Sequence, residues 1–563
     1  MLRSRRIWAF ILTTITALLG DTTANCDDTS KAQNQVSYYK QIRPIFQAHC
    51  QGCHQPAKSG GDYVMTSFDR LLKGGESEDA AVVPGKAESS YLIELITPTD
   101  GKAEMPKGKK PLAESDLSLI REWIEQGATD DTPTNARQLH DKDNPPVYTR
   151  PPVITSIDFS PDGQLLAVAG FHEVLLFKVE NNERVARLIG MSERIESVSF
   201  SPDGKQLAVA GGSPSRIGEI QIWDVAKREL KLSIATTYDT VYGGSWSPDG
   251  KLIAFGCADT SVRAIEAETG KEVAYMAAHD DWPRDTVFSA DGKSIFSVSR
   301  DQTIKMTDLA TGRFVGNVTT HTPGILKGGM IAIARHPKRN ELLAGGADGA
   351  PKLFRMDVKA APSSGGNPNQ IRQYPGMTGR VFDVVFNPDG MRAFAGSSLD
   401  GAGQVRAYET DTGKQVWNLD VAESGIYALA ISPDGKMLAA AGSDGKIRII
   451  DAAKGEVLKQ FLSVEVSAVG VKDAVSLAHA TFGNQETVEG ESLPQGAVVK
   501  DLIATPLTIK INEPIQYAQL YLTATLADTN QIDVTRIAKW RVEGAVGRIS
   551  ARGLFIPSAD GTG

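Results

Sequence analysis

Hydrophobic and polar positions follow two different periods along the chain. Apolar side chains recur at helical spacing before residue 50 and again after residue 114, at Tyr39, Ile42, Ile45, Phe46, Leu117, Ile120 and Ile124. From about residue 153, short apolar runs such as 206–210 precede stretches that alternate at period two, such as 446–449. The first pattern is typical of amphipathic helices and the second of β-strands. The sequence therefore predicts a small helical region followed by a long all-β region.

A turn segment recurs through the β region. Its copies begin at Ser160, Ser201, Ser247, Ser289, Arg335, Asn387 and Ser432, at intervals of 41, 46, 42, 46, 52 and 45 residues. A period of about 40 to 50 residues with four strands per unit predicts propeller blades. We therefore expect a seven-bladed all-β propeller over 153–463. The blades loosely resemble WD40 repeats, because the Trp-Asp dipeptide occurs once, at Trp223-Asp224, and the usual Gly-His pair is missing.

The regions around the propeller are predicted from composition and pattern. Residues 129–152 are polar and rich in proline, which predicts a linker, and 464–505 form a connector. Alternating strands return over 506–563, where Ile532 to Thr535, Trp540 and Gly553-Leu554-Phe555 resemble a bacterial immunoglobulin-like (Big) domain. That resemblance implies a partial β-sandwich, which we expect to be incomplete because another strand should follow Gly563.

The N-terminal residues resemble an export leader. Three arginines within the first six residues precede an apolar run at 7–19 and a small-residue stretch that ends at Ala24. This order predicts a signal peptide over 1–24, and hence a periplasmic or extracellular protein with no membrane span in the mature chain. An uncleaved anchor and a lipid anchor on Cys26 stay open as alternatives.

Net charge bears on the kind of partner, and the cysteines bear on disulfide bonding. The net charge of −8 argues against binding along a phosphate backbone, so no nucleic-acid partner is expected. Of the four cysteines, two belong to the motif described next, and Cys26 and Cys257 lie far apart, so a disulfide framework is not expected. Cys257 is expected to be a buried hydrophobic residue.

The segment Cys50-Gln51-Gly52-Cys53-His54 has the attachment pattern of a c-type haem. On a helical turn, thiols at i and i+3 share a face and can both reach the haem, while His54 supplies an axial imidazole. A zinc site or a redox dithiol is the alternative, although zinc would need a further ligand pair. Met105, followed by Pro106, is the candidate for the second axial ligand, with a core methionine as the alternative. Met65 and His49 are expected to be packing residues.

The helical region resembles the planctomycete-type cytochrome c domain over residues 36–128. The resemblance rests on Ile42 to Phe46 before the cysteine motif, Leu71 to Gly75, Val83-Pro84-Gly85, Met105-Pro106 and Trp123-Ile124. It implies a small all-α cytochrome c domain in which the methionine before proline is the distal ligand. Lys107 departs from the family pattern, in which a second proline is common at that place.

These features predict an exported c-type cytochrome that transfers electrons through one covalent haem c. In this hypothesis the propeller is a protein- or ligand-binding scaffold, and Lys102, Lys107, Lys109 and Lys110 form either a docking rim for an unidentified redox partner or a solvated loop. The alternative is a haem-containing oxidoreductase whose propeller, or further domains, oxidise a substrate. A quinoprotein motif ending at Trp417 occurs only once, the histidines of the propeller look structural, and no catalytic residue is assigned.

Overall fold

The computed structural model describes residues 35–77, 79–133, 140–277, 279–319, 329–358, 367–467, 499–505, 518–527, 531–535, 547–549 and 554–557. The described chain forms two compact units, one of residues 35–51 with 61–133 and one of residues 52–60 with 140 onward. The predicted signal peptide at 1–24 lies outside the described residues. Within them, no helix has both the length and the apolar character that crossing a bilayer requires.

The first unit is helical, as the sequence predicts. Its α-helices are α1 (Arg43–His49), α2 (Phe68–Lys73), α3 (Tyr91–Ile96) and α4 (Glu114–Glu125), with a π-helical turn at Tyr38–Ile42 and a 3-10 turn at Ala87–Ser89. Glu114 and Asp116 lie in the first turn of α4, where a helix favours negative charge. Gly127 follows the end of that helix with a φ of 99°, a conformation that glycine adopts more readily than other residues.

An aromatic cluster around Trp123 forms the core of this unit. The indole ring lies 5.4 Å from the ring of Tyr38, 6.3 Å from Phe46 and 6.2 Å from Phe68. Its Nε1 donates to the carbonyl oxygen of Thr129 at 3.0 Å, so the polar atom of the buried ring is satisfied. Helix α4 is thereby packed against the segment that leads to the cysteine motif.

The second unit is almost entirely antiparallel β-sheet. A two-residue pair, β1 (His54–Gln55) and β2 (Lys58–Ser59), comes first. A seven-stranded sheet follows, in the order β3 (Ile157–Phe159), β4 (Leu165–Ala169), β5 (Phe171–Lys178), β6 (Arg184–Phe200), β7 (Gln206–Ser213), β8 (Ile217–Asp224) and β9 (Glu229–Thr237).

Five four-stranded sheets come next, each built from four strands that are consecutive in the chain. The first two contain β10 (Val241–Trp246), β11 (Leu252–Cys257), β12 (Val262–Glu266) and β13 (Glu272–Met276), then β14 (Pro283–Phe288), β15 (Ser294–Ser299), β16 (Ile304–Asp308) and β17 (Arg313–Asn317). The third contains β18 (Met330–Arg335), β19 (Glu341–Gly346), β20 (Lys352–Arg355) and β21 (Gln370–Gln373). The last two contain β22 (Arg380–Phe386), β23 (Arg392–Leu399), β24 (Ala402–Glu409) and β25 (Gln415–Val421), then β26 (Ile426–Ile431), β27 (Met437–Gly442), β28 (Lys446–Asp451) and β29 (Val457–Leu462).

The recurring turn joins the first two strands of the repeats by the same contacts. In the first copy the hydroxyl of Ser160 donates to Asp162 Oδ1 at 2.6 Å and accepts the amide N–H of Leu165 at 2.8 Å. Gly163 has a φ of 71°, a conformation that costs glycine least. In the fifth copy His336 replaces the serine, and its Nδ1 accepts the amide N–H groups of Lys338 and Arg339. A different side chain thus closes the same turn.

The first and last sheets of the series pack together. One hydrophobic cluster contains Ile157 and Phe159 of β3 together with Ala439 and Ile447 of the last sheet. The backbone of Tyr148 also pairs with Val466 in a parallel bridge. These contacts confirm the prediction of a WD40 propeller-like β region and place its start beside its end.

The C-terminal residues form short strands in two three-stranded sheets. One has the order β30 (Val499–Thr505), β32 (Tyr521–Leu526) and β33 (Gln531–Asp533), and the other has the order β31 (Ala518–Gln519), β35 (Leu554–Pro557) and β34 (Gly547–Ile549). The immunoglobulin-like sandwich over 506–563 stays a prediction.

Candidate functional site

Helix α1 presents Cys50 at its C-terminal end. Pro44 stands in the first turn, where it costs no backbone hydrogen bond, and the amide N–H of Cys50 donates to the carbonyl oxygen of Phe46 at 2.9 Å. The Cys50 side chain is half-buried against the hydrophobic cluster of the first unit. Gln51 is buried, and its Nε2 donates to the carbonyl oxygen of Met65 at 3.0 Å. The start of the motif is therefore fixed by packing and by hydrogen bonds.

Cys53 and His54 lie in the segment 52–60, which belongs to the second unit. Cys53 is exposed, and its carbonyl oxygen accepts the amide N–H of Gly60 at 2.9 Å. His54 is half-buried and begins β1. Because α1 ends at His49, the expected helical turn across both thiols is absent, and the described motif forms a turn that leads into a short strand pair.

Met105 is fixed by a backbone contact in the loop between α3 and α4. Its amide N–H donates to the carbonyl oxygen of Leu95 at 2.9 Å, and its half-buried side chain packs against the cluster that Cys50 contacts. Met65 is fully buried in that cluster, as expected of a packing residue. His49 instead is exposed, so its expected packing role is wrong.

The surroundings of Cys50 and Met105 suit a flat apolar cofactor. Partly buried Tyr63 and Leu72 pack on the same cluster, so an apolar wall lies beside a thiol and a thioether. Burial raises the pKa of Tyr63, whose hydroxyl donates to the carbonyl oxygen of Leu71 at 2.8 Å. Among the described residues, neither Cys50 nor Cys53 is part of a disulfide. These residues fit a haem of the attachment type that the motif predicts, and their individual roles stay predictions.

The lysines around Met105 are all exposed, namely Lys102, Lys107, Lys109 and Lys110. The partial burial that remains at the surface residue His49 lowers the pKa of its imidazole, an effect opposed by the nearby carboxylate of Asp116 and reinforced by Lys109. Within the described residues, no group of three or more histidine, cysteine, aspartate or glutamate side chains is gathered as if for a metal ion.

Paired charges inside the propeller-like region were not anticipated from the sequence. In four sheets an aspartate in the turn after the second strand pairs with a cation four residues later, on the third strand. The pairs are Asp259 with Arg263, Asp301 with Lys305, Asp348 with Lys352 and Asp444 with Arg448. The spacing Asp-x-x-x-Lys/Arg after a strand would have revealed them.

His279 shares the aspartate of one of these pairs. Its Nδ1 lies 2.7 Å from Asp301 Oδ2, and its Nε2 lies 2.8 Å from the hydroxyl of Ser297. The imidazole is buried and fully used by these contacts. The prediction that this histidine is structural is therefore confirmed.

Three aspartates on first strands bind the next repeat of the series, and we call them the first-strand carboxyls: Asp158, Asp285 and Asp383. Each Oδ2 atom accepts a backbone amide N–H from the first strand of the next repeat. The donors are Phe200 to Asp158 at 2.8 Å, Ile333 to Asp285 at 3.0 Å and Leu429 to Asp383 at 2.7 Å. Burial raises their pKa values to about 7, about 7 and about 8, and the other two carboxyls raise that of Asp383 further. These groups bind neighbouring blades together rather than a substrate.

Aromatic and arginine side chains stack where β10 and β14 begin, and we call Tyr242, Trp282, Arg284 and Arg300 the stacked surface. The rings of Tyr242 and Trp282 lie 6.1 Å apart and nearly parallel. The Arg284 guanidinium lies 4.1 Å from the Tyr242 ring, and the Arg300 guanidinium lies 4.9 Å from the Trp282 ring. Trp282 is 36% exposed. No periodic pattern in the sequence marks this surface, because Tyr242 belongs to one repeat and the other three residues belong to the next.

Comparison with family models divides the chain in the same way as its fold. Residues 50–108 match the model described as Planctomycete cytochrome C. Residues 146–172 and 270–308 match the WD domain, G-beta repeat, and residues 215–284 and 397–474 match the Anaphase-promoting complex subunit 4 WD40 domain. The chain thus carries a planctomycete-type cytochrome c domain and WD40 repeats.

Curated relatives match parts of the chain. Periodic tryptophan protein 2 of Arabidopsis thaliana is 24% identical over 43% of this chain and 25% of its own length. The U3 small nucleolar RNA-associated protein 15 homolog of Xenopus laevis is 27% identical over 41% of this chain and 49% of its own length. The Ribosome biogenesis protein WDR12 homolog of Chlamydomonas reinhardtii is 28% identical over 24% of this chain and 33% of its own length. The chain spans from a quarter to about half of the length of these relatives.

These relatives correct two expectations. The expected function of an exported electron carrier, with an oxidoreductase as its alternative, is wrong, because the matched proteins are named for ribosome biogenesis and RNA association. The expected absence of a nucleic-acid partner is wrong as well, because relatives from two genera are named for association with U3 small nucleolar RNA. Net charge misled that second expectation, since a partner in a larger assembly need not contact a basic surface of this chain.

Proposed function

We propose that this chain is a haem-binding assembly scaffold, in which the propeller-like region binds a protein partner and the cytochrome domain holds a haem. The observation that carries the scaffold role is the stacked surface. Tryptophan, tyrosine and arginine are the residues that dominate binding energy at protein interfaces. Here two aromatic rings and two guanidinium groups form one continuous stack with Trp282 partly exposed.

A seven-bladed count is part of this proposal. The long strand β6 pairs with β5 through residues 184–189 and with β7 through residues 194–200. Its first half thus acts as the outer strand of one blade and its second half as the inner strand of the next. Counting the seven-stranded sheet as two blades gives seven with the five four-stranded sheets. A ring of this kind is a rigid platform for partner binding.

The partner that we propose is a protein, and RNA would reach the chain through that protein. Arginine and aromatic side chains also stack on nucleic-acid bases, so direct RNA binding is the competing outcome. The carboxylates beside the stacked surface, Asp281 and Glu196, disfavour direct contact with a phosphate backbone at that place. Relatives named for RNA association motivate testing both outcomes.

In the cytochrome domain we propose one covalent haem, with thioether bonds to Cys50 and Cys53 and with His54 and Met105 as axial ligands. When bound, the haem would supply a redox-active iron whose properties depend on these axial ligands. The α1 end and the Leu95 contact position Cys50 and Met105 beside an apolar wall. Tyr63 keeps its proton and fills the space next to Cys50.

The location of the protein stays a prediction. The leader over 1–24 predicts export to a periplasmic or extracellular compartment, where the haem would be attached. Sequencing the N-terminus of the purified protein would test it, since cleavage should leave residue 25 first. A chain that retains residues 1–24 in the cytoplasm would contradict export.

Affinity capture of the tagged full chain tests the scaffold role. We expect one protein partner to be retained by the wild type, also after ribonuclease treatment, and to be lost in Trp282→Ala. Tyr275→Ala is the matched control, because Tyr275 is a 50% exposed tyrosine that carries Arg263 at 5.1 Å on an outer strand. Equal retention by both variants would overturn the role of the stacked surface, and loss of all binding after ribonuclease would show that RNA is the direct partner.

A further inference from the structure

Two histidines of the second unit lie together at the start of the first sheet. His140 lies in the segment 140–148, and His172 is the second residue of β5. Their ring centroids are 5.0 Å apart with an angle of 64° between the rings. Neither residue belongs to the stacked surface or to the predicted haem ligands.

Several hydrogen bonds hold the segment that carries His140 against the hairpin that carries His172. The hydroxyl of Tyr148 donates to Glu173 Oε1 at 2.7 Å and accepts the amide N–H of Phe171 at 3.3 Å. Arg187 Nη2 donates to the carbonyl oxygen of Pro146 at 2.7 Å. Because Glu173 is fully buried and bound by both Tyr148 and Arg187, this end of the segment has one defined position.

The backbone turns tightly at the start of β5, where His172 lies. His172 has a φ of 64°, a left-handed conformation that is uncommon for residues other than glycine. The turn is closed by the amide N–H of Gly170, which donates to the carbonyl oxygen of Glu173 at 2.9 Å. The ring of Phe171 lies 4.3 Å from His172 and 6.4 Å from His140, so one side of the pair is apolar. Such retained strain is typical of functional positions.

The separation of the rings matches shared coordination of one metal ion. Imidazole nitrogens bind zinc at about 2.0 to 2.1 Å, so two rings on one tetrahedral ion have centroids about 5 Å apart.

We propose that His140 and His172 bind one borderline divalent transition-metal ion, such as Zn²⁺, through one nitrogen of each ring. Imidazole ligands suit Zn²⁺, Ni²⁺ and Cu²⁺ better than Mg²⁺ or Ca²⁺, which prefer oxygen. Since no third side chain of the ligating types joins them among the described residues, water completes the coordination. The bound ion fastens the segment 140–148 to the first sheet, so it stabilises the closing contact between Tyr148 and Val466.

Equilibrium dialysis of the full chain against Zn²⁺, with metal analysis, tests this site. All proteins carry Cys50→Ser and Cys53→Ser, so that the thiols of the haem motif contribute no binding. We expect one equivalent of Zn²⁺ with micromolar affinity, and a loss of at least tenfold in affinity in His140→Asn and in His172→Asn. Asparagine is chosen because it tolerates the left-handed backbone of His172. His321→Asn, which removes a histidine elsewhere in the chain, is the control and should bind as tightly as its parent.

Thermal unfolding with and without Zn²⁺ separates metal binding from folding. Without metal, the His172→Asn protein should unfold at the same temperature as its parent, while added Zn²⁺ should raise the midpoint of the parent alone. Unchanged Zn²⁺ affinity in both histidine variants would overturn the proposal. So would a parent protein that binds no Zn²⁺ at 100 times the protein concentration, and the same result with Mg²⁺ in place of Zn²⁺ would show a nonspecific oxygen site.

Discussion

The two compact units differ in the interactions that stabilise each of them. The helical unit depends on one aromatic cluster around Trp123, whose contacts reach Tyr38, Phe46 and Phe68. The propeller-like region repeats a few polar devices in sheet after sheet: the serine–aspartate turn, the aspartate–cation pair and the first-strand carboxyl. One substitution in the single core of the helical unit should therefore destabilise that whole unit. One substitution in a repeated architecture should destabilise mainly its own repeat and the neighbouring repeats.

Trp123→Ala should have the largest effect, and it should destabilise the helical unit alone. Removing a fully buried tryptophan costs about 3 to 5 kcal/mol, because a cavity opens where the indole packed. We expect differential scanning calorimetry to show an early, separate transition of the helical unit and an unchanged propeller transition. Trp417→Ala, which truncates a buried tryptophan of β25, should shift only the propeller transition. A single transition that shifts equally in both variants would show that the units do not unfold separately.

Asp444→Asn should have the next largest effect. It leaves the guanidinium of Arg448 buried without its charge partner, and breaking such a pair costs about 3 kcal/mol. Glu456→Gln is the matched control, since its pair with Lys454 is exposed and should contribute less than about 1 kcal/mol. Urea unfolding of the full chain measures both. Similar losses in the two variants would contradict the assigned role of the buried pairs.

The pH dependence of stability should distinguish the two units further. The folded pKa values of the first-strand carboxyls lie near 7 to 8, above the ordinary value of about 3.9, so the folded state holds protons that the unfolded state has released. Their contribution is complete below about pH 4 and is lost as the pH rises through 7 to 8. We expect the propeller transition to fall between pH 5 and 9, by about 2 to 4 °C for each kcal/mol lost.

Asp383→Asn should flatten that fall, because it removes the carboxyl with the highest pKa of the three. The transition of the helical unit serves as the internal reference in the same scans. A midpoint that rises over this range, or that falls equally in the wild type and in Asp383→Asn, would show that these carboxyls are ionised in the folded protein.

Ser201→Ala should have the smallest effect. It removes a hydroxyl that donates to Asp203 at 2.7 Å and accepts the amide N–H of Gln206 at 2.9 Å, contacts worth about 1 kcal/mol together. Ser213→Ala, at the end of β7, is a control outside the recurring turns. Chemical denaturation should place the Ser201→Ala midpoint measurably lower than that of the control. Equal midpoints would mean that the turn is maintained by its glycine alone.

The sequence predicted those parts of the fold that repeat or alternate. The turn beginning at Ser160 recurs with the same glycine in six of its seven copies, and the fifth copy was recognisable from its position in the series even though His336 and Arg339 replace the serine and the glycine. The buried face of α4 followed from its spacing as well. These local patterns predict structure well because the contacts that each one makes lie within a few residues of it in the chain.

The parts that the sequence did not predict depend on contacts between distant segments. The cysteine motif was expected on a helical turn, yet α1 ends at His49 and the motif forms a turn before β1. The stacked surface brings Tyr242 of β10 beside Trp282, which precedes β14, and the first-strand carboxyl of Asp383 accepts a hydrogen bond from Leu429 of the next repeat. No periodicity marks such pairs, so only the assembled ring reveals them.

Native mass spectrometry of the captured assembly tests the central claim, that the cytochrome domain binds haem and the propeller-like region binds a partner. The wild type should carry one haem and one partner on the same chain. The Cys50→Ser/Cys53→Ser variant should lose the haem and keep the partner, and Trp282→Ala should keep the haem and lose the partner. A wild-type chain that carries neither mass, or a partner that binds Trp282→Ala as well as the wild type, would contradict the account.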